Sequence, residues 1–104
     1  MRKYGLNCPI ARCLDVIGER WTLLILRDML LNPARRFQDF EREMPGLTPS
    51  VLSARLKELE AAGVVASELY LEHPPRLRYL LTEKGRELGP VLRALKVWGE
   101  KYPE

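Results

Sequence analysis

"TPSVLSARLKELEAAGVV", from Thr48 to Val65, reads as a capped amphipathic helix stopped by a glycine. Thr48 is a good N-cap because its hydroxyl accepts from an otherwise unpaired N–H of the first turn. Pro49 suits the first helical position, where no donor is needed. Turned at 100° per residue, Leu52, Leu56 and Leu59 cluster within about 60° and must face a core. Ser50, Ala54, Lys57 and Ala61 take the opposite side, flanked by Ser53. Short side chains let a helix approach base edges in a major groove, where serine donates or accepts and lysine meets phosphate or guanine. Serine and alanine are equally tolerable on any helix surface. The wheel alone leaves those two readings balanced.

The flanking segments shift that balance. Phe37, Phe40 and Met44 lie three and four apart and predict a short helix that ends at Pro45-Gly46. A turn of about four residues containing glycine then joins it to the Thr48 helix, as in a helix-turn-helix pair. Downstream the period changes to two. Val65, Ser67, Leu69 and Leu71 alternate with more polar partners, as do Leu77, Tyr79 and Leu81 with Arg76 and Arg78. Glu72-His-Pro-Pro75 lies between these runs, and its prolines suit a stiff hairpin tip rather than a central strand. Arg76 and Arg78 on such a hairpin would lie near a flanking minor groove or backbone. Arg35 and Arg36, ahead of the short helix, suit backbone contacts, as do Thr48 and Pro49 at the mouth of the next. Arg55 lies beside the leucine stripe and is better read as covering core or pairing with a carboxylate.

Further out, Cys8 to Gly18 reads as a helix with Pro9 at its first position, and Arg20 to about Leu31 as a central helix ended by Asn32-Pro33. Thr82 caps a last helix running to about Tyr102, with Pro90 expected to kink or fray its first turns. The order is four helices, a hairpin and a helix. The fold class is α+β, mainly α: a winged helix-turn-helix of three-helix core and β-hairpin wing, with additional N- and C-terminal helices. The recognition helix spans about 49–62 and the wing about 64–81.

The 104 residues predict one domain, 1–104, with 46% hydrophobic and 30% charged side chains. No apolar run approaches the ~18 residues needed to span a bilayer, and Arg2 and Lys3 precede no secretory pattern, so a cytoplasmic, non-membrane protein is expected. A formal charge of +3 permits nucleic acid without demanding it. Enzymatic constellations are missing: there is no phosphate loop, and His73, the single histidine, has no nucleophile arranged beside it. No metal or cofactor is expected. Cys8 and Cys13 point roughly 140° apart on one helix, which rules against an internal bridge. Cys13 is on the apolar side and reads as core. Cys8, at a helix start one turn from Arg12, is placed where a thiolate is favoured, or else is a structural thiol.

The runs "CPIARCLDVIGERWTLLILRDMLL", "RRFQDFEREMPGLTPSVLSARLKELEAAGVV", "HPPRLRYLLTEKGREL" and "VLRALKVWGE" together resemble the HxlR-type winged-helix regulators of bacteria and archaea, from about Cys8 to Glu100. The resemblance implies a homodimeric transcription factor on a pseudo-palindromic operator in double-stranded DNA. It implies a dimer interface from the terminal helices, here Ile10, Leu14, Val91, Leu95, Trp98 and Tyr102. Some relatives sense a small electrophile or oxidant through a cysteine near the position of Cys8. Repression is the expected output for a chain with no separate activation domain. A winged-helix protein-interaction module without DNA binding is the alternative, with Glu58 and Glu60 leaving room for it.

Overall fold

A computed structural model describes residues 7–103 of the chain. In order, its elements are α1 (Pro9–Ile17), α2 (Thr22–Leu31), β1 (Arg35–Arg36), α3 (Phe37–Glu43), α4 (Pro49–Ala61), β2 (Val65–Leu71), β3 (Arg76–Leu81), α5 (Glu83–Arg86) and α6 (Gly89–Lys101). At the head of α4 the Thr48 hydroxyl accepts from the Val51 N–H at 3.3 Å. At its foot the Val64 N–H donates to the Leu59 carbonyl at 2.9 Å and the Gly63 N–H to the Glu60 carbonyl at 3.0 Å. This is a Schellman closure, and it needs the left-handed φ of +76° that Gly63 supplies without steric cost.

The core forms where α2, α3, α4 and the base of the hairpin meet. Phe40, Ile25, Leu26, Leu52, Leu56, Leu59 and Val64 are its fully enclosed side chains. Each fully buried aliphatic stabilises by roughly 1.5–3 kcal/mol relative to exposure. The hairpin pairs antiparallel, with Val65 opposite Leu81, Glu68 opposite Arg78 and Leu69 opposite Leu77; an irregularity at Leu69/Leu71 precedes the tip. Only the proximal half of its apolar face reaches the core. Leu69, Leu71 and Leu77 project beyond it and stay exposed.

Two features depart from the sequence reading. The sheet has three strands in the order β1-β3-β2, because Arg35 and Arg36 pair with Tyr79 and Arg78. A two-residue strand carries no alternation of its own and is created by its partner. The C-terminal segment is two helices rather than one. Pro90 lacks an N–H, and its ring would clash with the Arg86 carbonyl in a continuous helix, so the chain breaks after Arg86 and restarts with Pro90 in the first turn of α6.

α6 stands apart from the core. It contributes no buried residue, although Leu92 packs partly against the cluster. The radius of gyration is 14.4 Å, against about 13 Å for an ordinary 100-residue domain. No described helix is long and apolar enough to cross a membrane.

Candidate nucleic-acid interface

α4 divides its circumference sharply. Leu52, Leu56 and Leu59 are at most 1% exposed, whereas Ser50, Lys57 and Ala61 are exposed and Ser53 and Ala54 half-buried. On this face Ser50, Lys57 and Ala61 stay open while Ser53 and Ala54 are partly covered, and Lys57 has no ion-pair partner among the described residues. The Thr48 hydroxyl is spent on capping, so Thr48 and Pro49 present mainly their backbone and ring edge at the mouth of the helix. Arg55 behaves as its position beside the leucines implies: it is paired with Glu58, and its Nε lies 3.1 Å from Glu19 Oε1.

The wing brings two more cations. Arg76 is exposed and unpaired among the described residues, at the first position of β3 beside a tip whose His73–Pro74 peptide is cis. Arg78 donates from Nε to Glu68 Oε1 at 2.6 Å across the hairpin, both side chains remaining nearly half exposed. A cleft of about 330 Å³ separates the wing from α3, lined by Phe37, Gln38, Tyr70, Pro75, Arg76, Leu77 and Tyr79.

Arg35 and Arg36, adjacent in sequence, have different surroundings. Arg35 is drawn inward. Its Nε and Nη2 donate to Asp28 Oδ2 and Oδ1 at 2.8 and 3.0 Å, leaving the side chain 13% exposed. The hydrogen bond to Asp28 raises its pKa above the ordinary value and cements the charge. Arg36 stays at the surface, 44% exposed, with Nε and Nη2 at 3.2 and 3.1 Å from Asp39. Asp39 itself is buried. It accepts also from the Arg36 backbone N–H at 2.9 Å and from Arg42 Nη2 at 2.8 Å. These bonds, led by the Arg36 guanidinium, hold its carboxyl well below the usual carboxylate range. Arg42 is absent from the sequence-level surface. Its signal is the three-residue spacing from Asp39, which puts both on one helix face, but that spacing looks like any solvated surface pair until Asp39 is known to be buried.

At the other end of the molecule Cys8 is the half-buried N-cap residue of α1, its carbonyl accepting from the Arg12 N–H at 2.9 Å. The Arg12 guanidinium reaches the Asn7 side chain at 3.5 Å. Cys13 packs against the edge of the core and lines a largely apolar cleft between α1 and Leu88. The residues assigned to a subunit interface are all exposed: Ile10 72%, Leu14 41%, Val91 37%, Leu95 50%, Trp98 66% and Tyr102 56%. The rings of Trp98 and Tyr102 lie 5.2 Å apart and form one apolar surface.

This arrangement has close counterparts. The chain is 41% identical over 98 residues to the HTH-type transcriptional regulator YdeP of Bacillus subtilis, covering 94% of this chain and 76% of YdeP. It is 39% identical over 95 residues to an HTH-type transcriptional regulator of Methanothermobacter thermautotrophicus, covering 91% of this chain and 72% of the relative. Among solved structures, the redox regulator HypR in its reduced form superposes with a TM-score of 0.87 at 39% identity, over 93% of this chain and 95% of HypR. Diamide-treated YodB from B. subtilis superposes with a TM-score of 0.74 at 31% identity, over 93% and 96% of the two chains. The HxlR-like helix-turn-helix family matches residues 16–104. The chain belongs to that family and is a transcriptional regulator of helix-turn-helix type.

Proposed function

We propose that this protein is a homodimeric, sequence-specific DNA-binding repressor of the cytoplasm. α4 enters the major groove of a pseudo-palindromic operator, with Ser50, Ser53 and the open surface at Ala54 supplying readout. Lys57, Arg76 and the outer faces of Arg36 and Arg78 supply salt-dependent affinity through phosphate. Arg35 has a minor part, its charge being committed to Asp28. Two α4 helices related by a two-fold axis would reach successive major grooves about 34 Å apart. The observation that carries this reading is the exposure of Ser50 and Lys57 on the face of α4 opposite its leucines, flanked by a cationic wing. Against a pure protein-interaction module, Glu60 accepts from Ser67 and Glu58 is paired with Arg55, so the acidic side chains of α4 are turned to internal use.

Fluorescence anisotropy on the DNA upstream of its own gene, at several salt concentrations, tests the assignment. Lys57→Glu combined with Arg76→Glu abolishes binding there while leaving the circular-dichroism spectrum unchanged. Unaltered affinity in that variant overturns the assigned surface.

The likeness to HypR, solved in reduced and oxidised forms, and to diamide-treated YodB supports a redox or electrophile input. Cys8 is the thiol we assign to it, at the start of α1 and next to the apolar surface of Ile10 and Leu14. Diamide or a quinone then releases the wild type from DNA and leaves Cys8→Ser bound; equal release of both removes Cys8 from the pathway.

A further inference from the structure

We propose that Arg36 and Arg42, gathered on the buried carboxylate of Asp39, form a clamp for one backbone phosphate of double-stranded DNA. The inference rests on the DNA-binding reading above and adds to it Arg42 as a second phosphate donor and Asp39 as the residue that positions both.

Asp39 is 6% exposed and accepts from both guanidiniums, at 2.8 to 3.2 Å. One carboxylate thus stands against two cations, leaving a local surplus of one positive charge. Two guanidiniums this close repel each other unless an anion sits between or across them. Asp39 does so on the protein side; on the outer side no carboxylate among the described residues pairs with either. There the two side chains remain 44% and 62% exposed.

The donors come from separate elements, Arg36 from β1 and Arg42 from the last turn of α3. Each guanidinium carries five N–H donors, and Asp39 takes only some of them, so both keep donors for a phosphate oxygen, which such planar forks match well. Position agrees with that use. Phe37, directly after Arg36, lines one cleft with Tyr70 and Arg76 of the wing. Arg36 also pairs with Arg78 of the wing in the sheet, which sets the clamp beside the proposed wing contacts. Asp39 touches no DNA in this scheme; it is a positioning residue.

The sign of one substitution separates this from plain electrostatics. Removing an acidic residue from a DNA-facing surface tightens binding if the residue only repels phosphate. Removing one that aims two arginines weakens it. Anisotropy titrations with the upstream DNA compare wild type, Asp39→Asn, Arg42→Ala and the double variant between about 0.05 and 0.3 M salt, where counterion release is measurable. Arg42→Ala is expected to lower the slope of log affinity against log salt by about 0.9 and the affinity at 0.1 M about eightfold, the amount for one phosphate. Asp39→Asn is expected to weaken binding, and the double variant to be no weaker than the worse single variant. Binding by Asp39→Asn as tight as or tighter than wild type overturns the proposal. Should Asp39→Asn fail to fold, Arg42→Ala decides alone, since its side chain is exposed, and an unchanged slope overturns the clamp. Loss of binding in Lys57→Glu/Arg76→Glu beside an unaffected Arg42→Ala overturns only the clamp. A wild type with no salt-dependent DNA affinity overturns the DNA-binding reading and the clamp together.

Discussion

Two neighbouring arginines show how little a residue's type says about its task. Arg35 and Arg36 occupy a strand, where successive side chains leave opposite faces, so one turns to Asp28 and the interior and the other to solvent. Stability and DNA affinity therefore separate between them. Arg35→Ala strands the nearly enclosed Asp28 carboxylate and is expected to cost about 3 kcal/mol in urea unfolding, with an unchanged salt slope for DNA. A loss below about 0.5 kcal/mol, the range of ordinary surface changes, shows that Arg35 is not structural. The serines of α4 pose the opposite case. Their side of the helix is plain from the helical wheel, Ser50 is exposed and Ser53 half-buried, and no hydrogen-bond partner among the described residues claims either side chain, so their role rests on what docks against them.

At the scale of elements, start and stop signals were legible and junctions were not. Thr48, Pro49 and Gly63 bracket α4 through local hydrogen bonding, which depends on nothing outside the segment. Pro90 announced an interruption, but whether the chain bends or breaks depends on what holds each half. Here α5 is held by its approach to the start of β2. Thr82 Oγ1 accepts from the Gly85 N–H at 3.1 Å and donates to the Gly63 carbonyl at 2.6 Å. This leaves no room at Gly85, where an added Cβ would lie 2.2 Å from the Val64 carbonyl oxygen and 3.0 Å from Leu81 Cδ2. Gly85→Ala must push α5 off the hairpin and is expected to destabilise by about 1–3 kcal/mol, read from thermal melts. An unchanged melting temperature shows that this junction yields freely. β1 had no sequence signal at all, being defined by Tyr79 and Arg78 opposite it.

For the whole molecule, the exposed apolar surface is the quantity to explain. Leu95, Trp98 and Tyr102 on α6, with Ile10 and Leu14 on α1, leave their apolar surface in water in a monomer. Our dimer proposal gives them a partner and also sets the spacing of the two α4 helices. Leu95→Glu with Trp98→Glu is expected to convert a dimer to a folded monomer by sedimentation velocity and to lose operator binding in the same preparation. A dimer that survives both substitutions places the interface elsewhere.

Taken by itself, the sequence determined the four leading helices and the hairpin, and the side of α4 that faces the core. Period, caps and prolines act over a few residues, so α1 to α4 and the hairpin, with the family resemblance they carry, were there to be read. Tertiary structure alone decided which charges are available. Whether an arginine is a free cation depends on a carboxylate brought near it by folding: Asp28 takes Arg35, Glu68 takes Arg78, and Asp39 holds Arg36 and Arg42. Tertiary structure alone likewise left α6 outside the core, because burial depends on how many stripes one small core can cover, a property of the assembled chain and of no segment in it.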